Sequence, residues 1–76
     1  MVFEKIREIL ASQFDTEEES ITMDTDLIDE FGADSLDVVE VMTSIESEFN
    51  IVVTDENVHG VKTVGDIVSI VEKYVK

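Results

Sequence analysis

The sequence has no cysteine, which excludes any disulfide and any metal site built on thiolates. At 76 residues, the chain is in the size range where a single core gives only marginal stability unless a cross-link, a metal or a partner helps. We therefore expect one domain over residues 1–76, with no metal site on thiolates.

Basic residues are also scarce, with 5 Lys and Arg against 19 Asp and Glu and a formal net charge of -14. No Lys or Arg stands between Arg7 and Lys62. Nucleic acids and anionic membrane surfaces are poor partners for such a chain, because charges of the same sign repel. The charge favours a basic protein surface or a divalent cation as partner.

Long apolar runs are absent as well. No stretch approaches the roughly 20 apolar residues that a helix needs to cross a bilayer. The N-terminal segment MVFEKIREIL has charges at positions 4, 5, 7 and 8, which interrupt any apolar region of a signal peptide. We expect a soluble, cytoplasmic, monomeric protein that does not insert into membranes.

Helical periodicity is the main pattern that the sequence does contain. Apolar residues at 2, 3, 6, 9, 10 and 14 predict a first helix, and those at 38, 41, 42, 45 and 49 predict a second, over residues 35–49. A last helix follows Thr63, with its apolar stripe at 64, 67, 68, 71, 74 and 75. With a short helical turn over 55–59, stopped by Gly60, these predict an all-α fold, a small four-helix bundle of three main helices and one short helix.

Two connections have no clear helical period. Residues 15–33 form a long acidic segment, which we predict to be a loop fixed to the core by its scattered apolar residues. Residues 51–53 are apolar enough for a strand but have no second strand to pair with. We predict that they form an extended segment.

The segment DEFGADSLDVVEVM places Ser35 between two aspartates at the start of the second predicted helix. A serine at a helix start is most often the N-cap, but Asp34 can take that place, with Asp37 as the second member of a capping box. Ser35 is then the first helical residue, and its hydroxyl is available beside the positive end of the helix dipole. Gly32 and Ala33 are predicted to keep the approach to this hydroxyl open.

Such a hydroxyl could be a nucleophile, a metal ligand or an attachment point. Serine catalysis is disfavoured, because there is no G-x-S-x-G elbow and nothing places the single histidine, His59, against Ser35. A calcium loop starting at Asp24 fails, because Ile28 and Asp29 stand where an oxygen ligand and a glycine are required. Attachment remains, as does an acidic helical interaction module in which Ser35 only begins a helix.

The period of the second helix indicates which residues near Ser35 face solvent. Leu36 and Glu40 lie roughly opposite the apolar stripe, with Val39 and Glu46 on one flank and Asp37 on the other. An exposed leucine framed by carboxylates is typical of an anchor in a docking surface with an acidic rim.

The motif GADSLD followed by VVEVMTSIESEF resembles the modification site and second helix of acyl carrier proteins, the discrete carriers of bacterial-type fatty acid synthesis. The resemblance extends over essentially the whole chain. It implies that Ser35 receives 4′-phosphopantetheine from coenzyme A, in a reaction run by a separate Mg²⁺-dependent pantetheinyl transferase, the holo-carrier synthase. It also implies that the thiol of this arm carries acyl chains as thioesters, and that the protein is not an enzyme and has no catalytic residue.

The resemblance further implies a surface that meets basic patches on the fatty acid synthesis enzymes. The matching positions are Asp34, Leu36, Asp37, Val39, Glu40 and Glu46. Thr43 and Ser47 depart from the family pattern, which commonly has a larger apolar residue and an acid there. The aspartate at position 34 favours an acyl carrier over a peptidyl carrier, which usually has histidine, whereas a carrier for a dedicated polyketide-type pathway stays open.

Overall fold

The computed structural model describes residues 2–75, except for the side chain of Asp55. Five α-helices follow one another: α1 (Val2–Phe14), α2 (Leu27–Phe31), α3 (Ser35–Phe49), α4 (Asp55–His59) and α5 (Val64–Tyr74). One turn of 3₁₀ helix, Glu18–Ser20, lies between α1 and α2. The described residues contain no strand, and the predicted all-α class is confirmed.

The core lies between the three long helices, with α1 packed against both α3 and α5. Their buried residues are Ile6 and Leu10 in α1; Val38, Val41, Met42 and Ile45 in α3; and Val64, Ile67, Val68 and Val71 in α5. These positions belong to the predicted apolar stripes. The prediction was wrong at Val75, which follows the end of α5 and is exposed.

Helix α2 lies inside the segment that was predicted to be a loop, so residues 2–75 contain five α-helices instead of the four predicted. Asp26 begins it, because one oxygen of this carboxylate accepts the N–H groups of Ile28 and Asp29, both at 2.9 Å. Gly32 ends it in the left-handed conformation, at φ 63°, which glycine adopts without strain. Five residues are too few to show a helical period, so this helix was missed.

The rest of the connection is fixed to the core, as expected. Ile21 and Leu27 are fully buried. The N–H of Leu27 donates to the carbonyl of Lys62 at 2.8 Å, and the N–H of Val64 donates to the carbonyl of Thr25 at 3.0 Å. These bonds fasten the start of α2 to the start of α5.

The segment between α3 and α5 also follows the prediction. Residues 51–53 form no strand, and α4 begins after Thr54, whose side chain accepts the N–H of Asn57 at 3.4 Å. Gly60 ends α4, but with φ -87° it does not use the conformational freedom of glycine. Val53 and Val61, on either side of α4, are buried and tie this segment to the core.

The cap of α2 is testable by two substitutions at Asp26. Asp26→Ala removes the acceptor of two N–H groups, and we expect it to lower the free energy of unfolding by about 1 kcal/mol. Asp26→Asn keeps an acceptor oxygen while removing the same negative charge, so we expect little loss. Urea unfolding followed by circular dichroism measures both, and equal effects of the two variants would contradict the capping role.

Candidate functional site

Ser35 is the first residue of α3 and is exposed. The predicted capping box is confirmed: Asp34 Oδ1 accepts the N–H of Asp37 at 3.0 Å, and Asp37 Oδ2 accepts the N–H of Asp34 at 3.2 Å. The start of α3 is thus satisfied by two carboxylates. Within the described chain, the Ser35 hydroxyl takes no part in these bonds and remains available at the helix start.

The residues before Ser35 hold the helix start in place. Gly32 turns the chain out of α2, and the N–H of Ala33 donates to the carbonyl of Leu27 at 3.3 Å. Ala33 is buried, so its methyl group also packs in the core, and the expectation that it keeps the approach to Ser35 open stays a prediction. Gly32 is exposed, and a Cβ there would meet nothing within 4 Å. Glycine is therefore required at this position for its left-handed backbone conformation and not for lack of space.

A cavity of about 160 Å³ opens beside Ser35. Its lining is mostly aliphatic: Ile28, Ala33, Val38, Val39, Val58 and Val61. The three polar residues of the lining are Asp34, Ser35 and His59. Apolar cavities of roughly this volume can hold a small hydrocarbon, so the site can shelter a short apolar segment next to the serine.

No pattern in the sequence places His59 near Ser35. The two residues come together because α4 packs against α3. Both are exposed, so they lie at the opening of the cavity. A contact between two helices joined by an irregular segment leaves no periodic signal that could have revealed this pairing.

The outer face of α3 has the predicted orientation. Leu36 is 65% exposed and Val39 is 44% exposed, and Glu40 also faces solvent. Asp37 is half-buried, in keeping with its bond to the N–H of Asp34. Glu40 Oε1 accepts a hydrogen bond from the Gln13 side chain of α1 at 3.2 Å. The face thus combines two apolar side chains with carboxylates that retain oxygen atoms for other contacts.

Glu46 differs from the other acids predicted for this surface. It is half-buried, and its Oε2 accepts the backbone N–H of Val53 at 2.6 Å. Val53 is itself buried, so the bond satisfies an N–H that water cannot easily reach. One oxygen of Glu46 is therefore engaged in holding the segment between α3 and α4.

The charge around the site is mainly uncompensated. In residues 2–75, the ion pairs join Lys5 to Glu8 at 3.9 Å and to Glu48 at 3.5 Å. Neither pair involves the acids next to Ser35.

No described group of three or more His, Asp or Glu side chains is arranged to hold a metal ion. None of the described helices is long and apolar enough to span a membrane.

A helical bundle that presents an available serine at a helix start, beside an apolar cavity, has the architecture of a phosphopantetheine-attachment domain. The sequence model of that family, described as the phosphopantetheine attachment site, matches residues 4–71. The chain belongs to this family. Its similarity to acyl carrier proteins over nearly the whole length places it in the acyl carrier protein branch.

Acyl carrier proteins align with nearly the full length of the chain. The Clostridium perfringens protein is 41% identical over 73 residues, which cover 96% of each sequence. The Clostridium acetobutylicum protein is 42% identical over 74 residues, covering 97% of this chain and 96% of the relative. The structure of the Enterococcus faecalis acyl carrier protein superposes with a TM-score of 0.79 at 30% identity and covers 95% of this chain and 91% of that one.

The residues present fit the covalent group that the family implies. A phosphodiester needs an accessible hydroxyl, and Ser35 is exposed at the helix start with the cap supplied by Asp34. An apolar chain at the end of a flexible arm needs a place out of water, and the lining by Val38, Val58 and Val61 supplies one.

Glu46 offers a second test of the site. Glu46→Ala leaves the buried N–H of Val53 without its partner, and we expect it to lower the free energy of unfolding by about 1 to 3 kcal/mol. Glu46→Gln retains an acceptor and should cost less. Glu48→Ala is the matched control, since Glu48 makes only an exposed ion pair worth about 0 to 1 kcal/mol.

Urea unfolding of the three variants gives the comparison. If Glu46→Ala costs no more than Glu48→Ala, then the bond to Val53 does not stabilise the segment between α3 and α4.

Proposed function

We propose that Ser35 is the residue that bears 4′-phosphopantetheine and that the chain is a non-catalytic, cytoplasmic carrier used by the enzymes of fatty acid biosynthesis. The observation that carries this proposal is the exposed Ser35 at the first position of α3, with the capping role taken by Asp34 and Asp37. Membership of the acyl carrier protein family supports the general part of this proposal, namely that the chain is an acyl carrier with a covalent phosphopantetheine group.

In this function, the protein presents a nucleophile and other proteins perform the chemistry. The capping box fixes the backbone of α3, so the Ser35 oxygen meets a transferase in a defined position. Small residues precede it, and Gly32 has open space around it. The attached group supplies the thiol on which acyl chains are carried as thioesters.

The cavity gives the carrier a second task, which is to limit contact between the acyl chain and water. Burying a methylene group is worth about 0.8 kcal/mol. The aliphatic lining from α3 and α4 can supply this stabilisation to a short segment of the chain. A partner enzyme would withdraw this segment of the acyl chain from the cavity by offering an apolar site that binds it more strongly.

The proposed partner surface consists of Asp34, Leu36, Asp37, Val39, Glu40 and Glu46, and it has three kinds of member. Leu36 and Val39 are exposed apolar anchors. Asp37 and Glu40 present carboxylate oxygens to a basic partner such as the holo-carrier synthase. Asp34 and Glu46 contribute negative charge at the edges of this surface, and each also accepts a hydrogen bond from a backbone N–H group.

Attachment at Ser35 is tested by intact-mass measurement. Incubation with coenzyme A, Mg²⁺ and a pantetheinyl transferase should add the mass of one phosphopantetheine to the wild-type chain and none to Ser35→Ala. Ser47→Ala removes another exposed hydroxyl of α3 and should be modified normally. If the wild-type chain gains no mass, or Ser35→Ala still gains it, the proposed attachment at Ser35 is wrong. If the wild-type chain gains no mass, an acidic interaction module without an arm is favoured.

The acidic part of the partner surface is tested by transferase kinetics at low salt. Asp37→Asn and Glu40→Gln remove one charge each and keep an acceptor oxygen, so we expect the KM to rise by roughly 2- to 5-fold per substitution, since an exposed ion pair is worth up to about 1 kcal/mol. Glu72→Gln, on the exposed side of α5, is the control of equal charge and should leave KM unchanged.

Added salt should reduce the difference between variants and wild type, because it screens exposed charges. Equal effects of all three substitutions would show that only the total charge matters, and not a surface on α3.

A further inference from the structure

The cavity beside Ser35 has one lining side chain that can carry a positive charge, that of His59. The sequence has no Lys or Arg between Arg7 and Lys62 and has one histidine in total. His59 is the last residue of α4 and is exposed, so its ring is accessible at the opening of the cavity.

Loading of Ser35 creates an electrostatic problem at this opening. A phosphodiester on its oxygen brings a negative charge next to Asp34, which lines the same cavity, and near the carboxylate of Asp37. Like charges in close proximity disfavour the loaded state, and a nearby cation offsets this repulsion. A protonated imidazole is such a cation, and both of its nitrogens can donate hydrogen bonds to phosphate oxygens.

We propose that His59 is a positioning residue that holds the phosphodiester of the arm at the opening of the cavity. The inference rests on the proposed attachment at Ser35. It gives α4 a direct electrostatic link to the loaded serine, in addition to its packing against α3. The arm then leaves Ser35 toward the aliphatic lining that Val58 and Val61 provide beside His59.

Lys62 is the nearest basic residue in the sequence and serves as the comparison. It is exposed and does not line the cavity. Its backbone is engaged with other elements, since its N–H donates to Asp66 Oδ2 at 2.9 Å and its carbonyl accepts the N–H of Leu27. Lys62→Gln therefore removes a nearby positive charge without removing a group from the opening.

The experiment compares the unloaded and loaded forms of four chains: wild type, His59→Gln, His59→Lys and Lys62→Gln. Intact mass first establishes that each chain has gained one phosphopantetheine, which tests the attachment separately. The melting temperature of both forms is then measured at low salt and about pH 6. The ³¹P resonance of the loaded form reports the surroundings of the phosphate directly.

We expect loading to lower the melting temperature more in His59→Gln than in wild type, by on the order of 1 to 4 °C. The ³¹P resonance should move in the same variant. His59→Lys should restore the wild-type change in melting temperature, and Lys62→Gln should match wild type in both measurements. Comparing loaded with unloaded protein cancels any effect of a substitution on the fold itself.

Two results would overturn the inference. If His59→Gln changes neither measurement, the ring does not contact the phosphate. If His59→Gln and Lys62→Gln change both measurements alike, the effect is one of net charge only. A chain that is not modified at Ser35 would instead contradict the proposed function.

Discussion

The reciprocal hydrogen bonds between Asp34 and Asp37 are the interaction on which the site depends. If Ser35 were the cap, its hydroxyl would be turned toward the helix and engaged with a backbone N–H. With aspartate in that place, the negative charge is also favourable beside the positive end of the helix dipole. The same helix start directs Val38 and Val41 into the core and Leu36 into solvent. One local arrangement thus fixes the exposed serine and the face around it.

The acids of this chain have local structural roles in addition to their effect on net charge. Asp26, Asp34 and Asp66 accept N–H groups at or near helix starts, and Glu46 does the same for Val53. These bonds satisfy donors that would otherwise need water or other partners. The sequence has no cysteine for a disulfide, and no group of three or more His, Asp or Glu side chains in residues 2–75 is arranged to hold a metal ion. Such bonds and the apolar core therefore oppose the mutual repulsion of the carboxylates.

The limits of sequence-based prediction follow from the range of each interaction. The long helices and the capping box of α3 were predictable, because period and capping are encoded within about one or two turns. Helix α2 was missed because its five residues, Leu27–Phe31, are too few for a period, although Asp26 and Gly32 are recognisable as its ends. The bond from Val53 to Glu46 and the position of His59 depend on how an irregular segment returns to α3, and no local pattern specifies that path.

The two walls of the cavity differ in how firmly they are held. Helix α3 has 15 residues, a complete capping box and four buried side chains. Helix α4 has five residues, fewer than an isolated helix needs for stability, and it depends on its cap, its packing and a hydrogen bond from Asn57 to the Tyr74 hydroxyl at 3.1 Å. Segments with few interactions of their own open at lower free energy than the core. We therefore expect a change in cavity volume to move α4, while α3 keeps Ser35 in a fixed position.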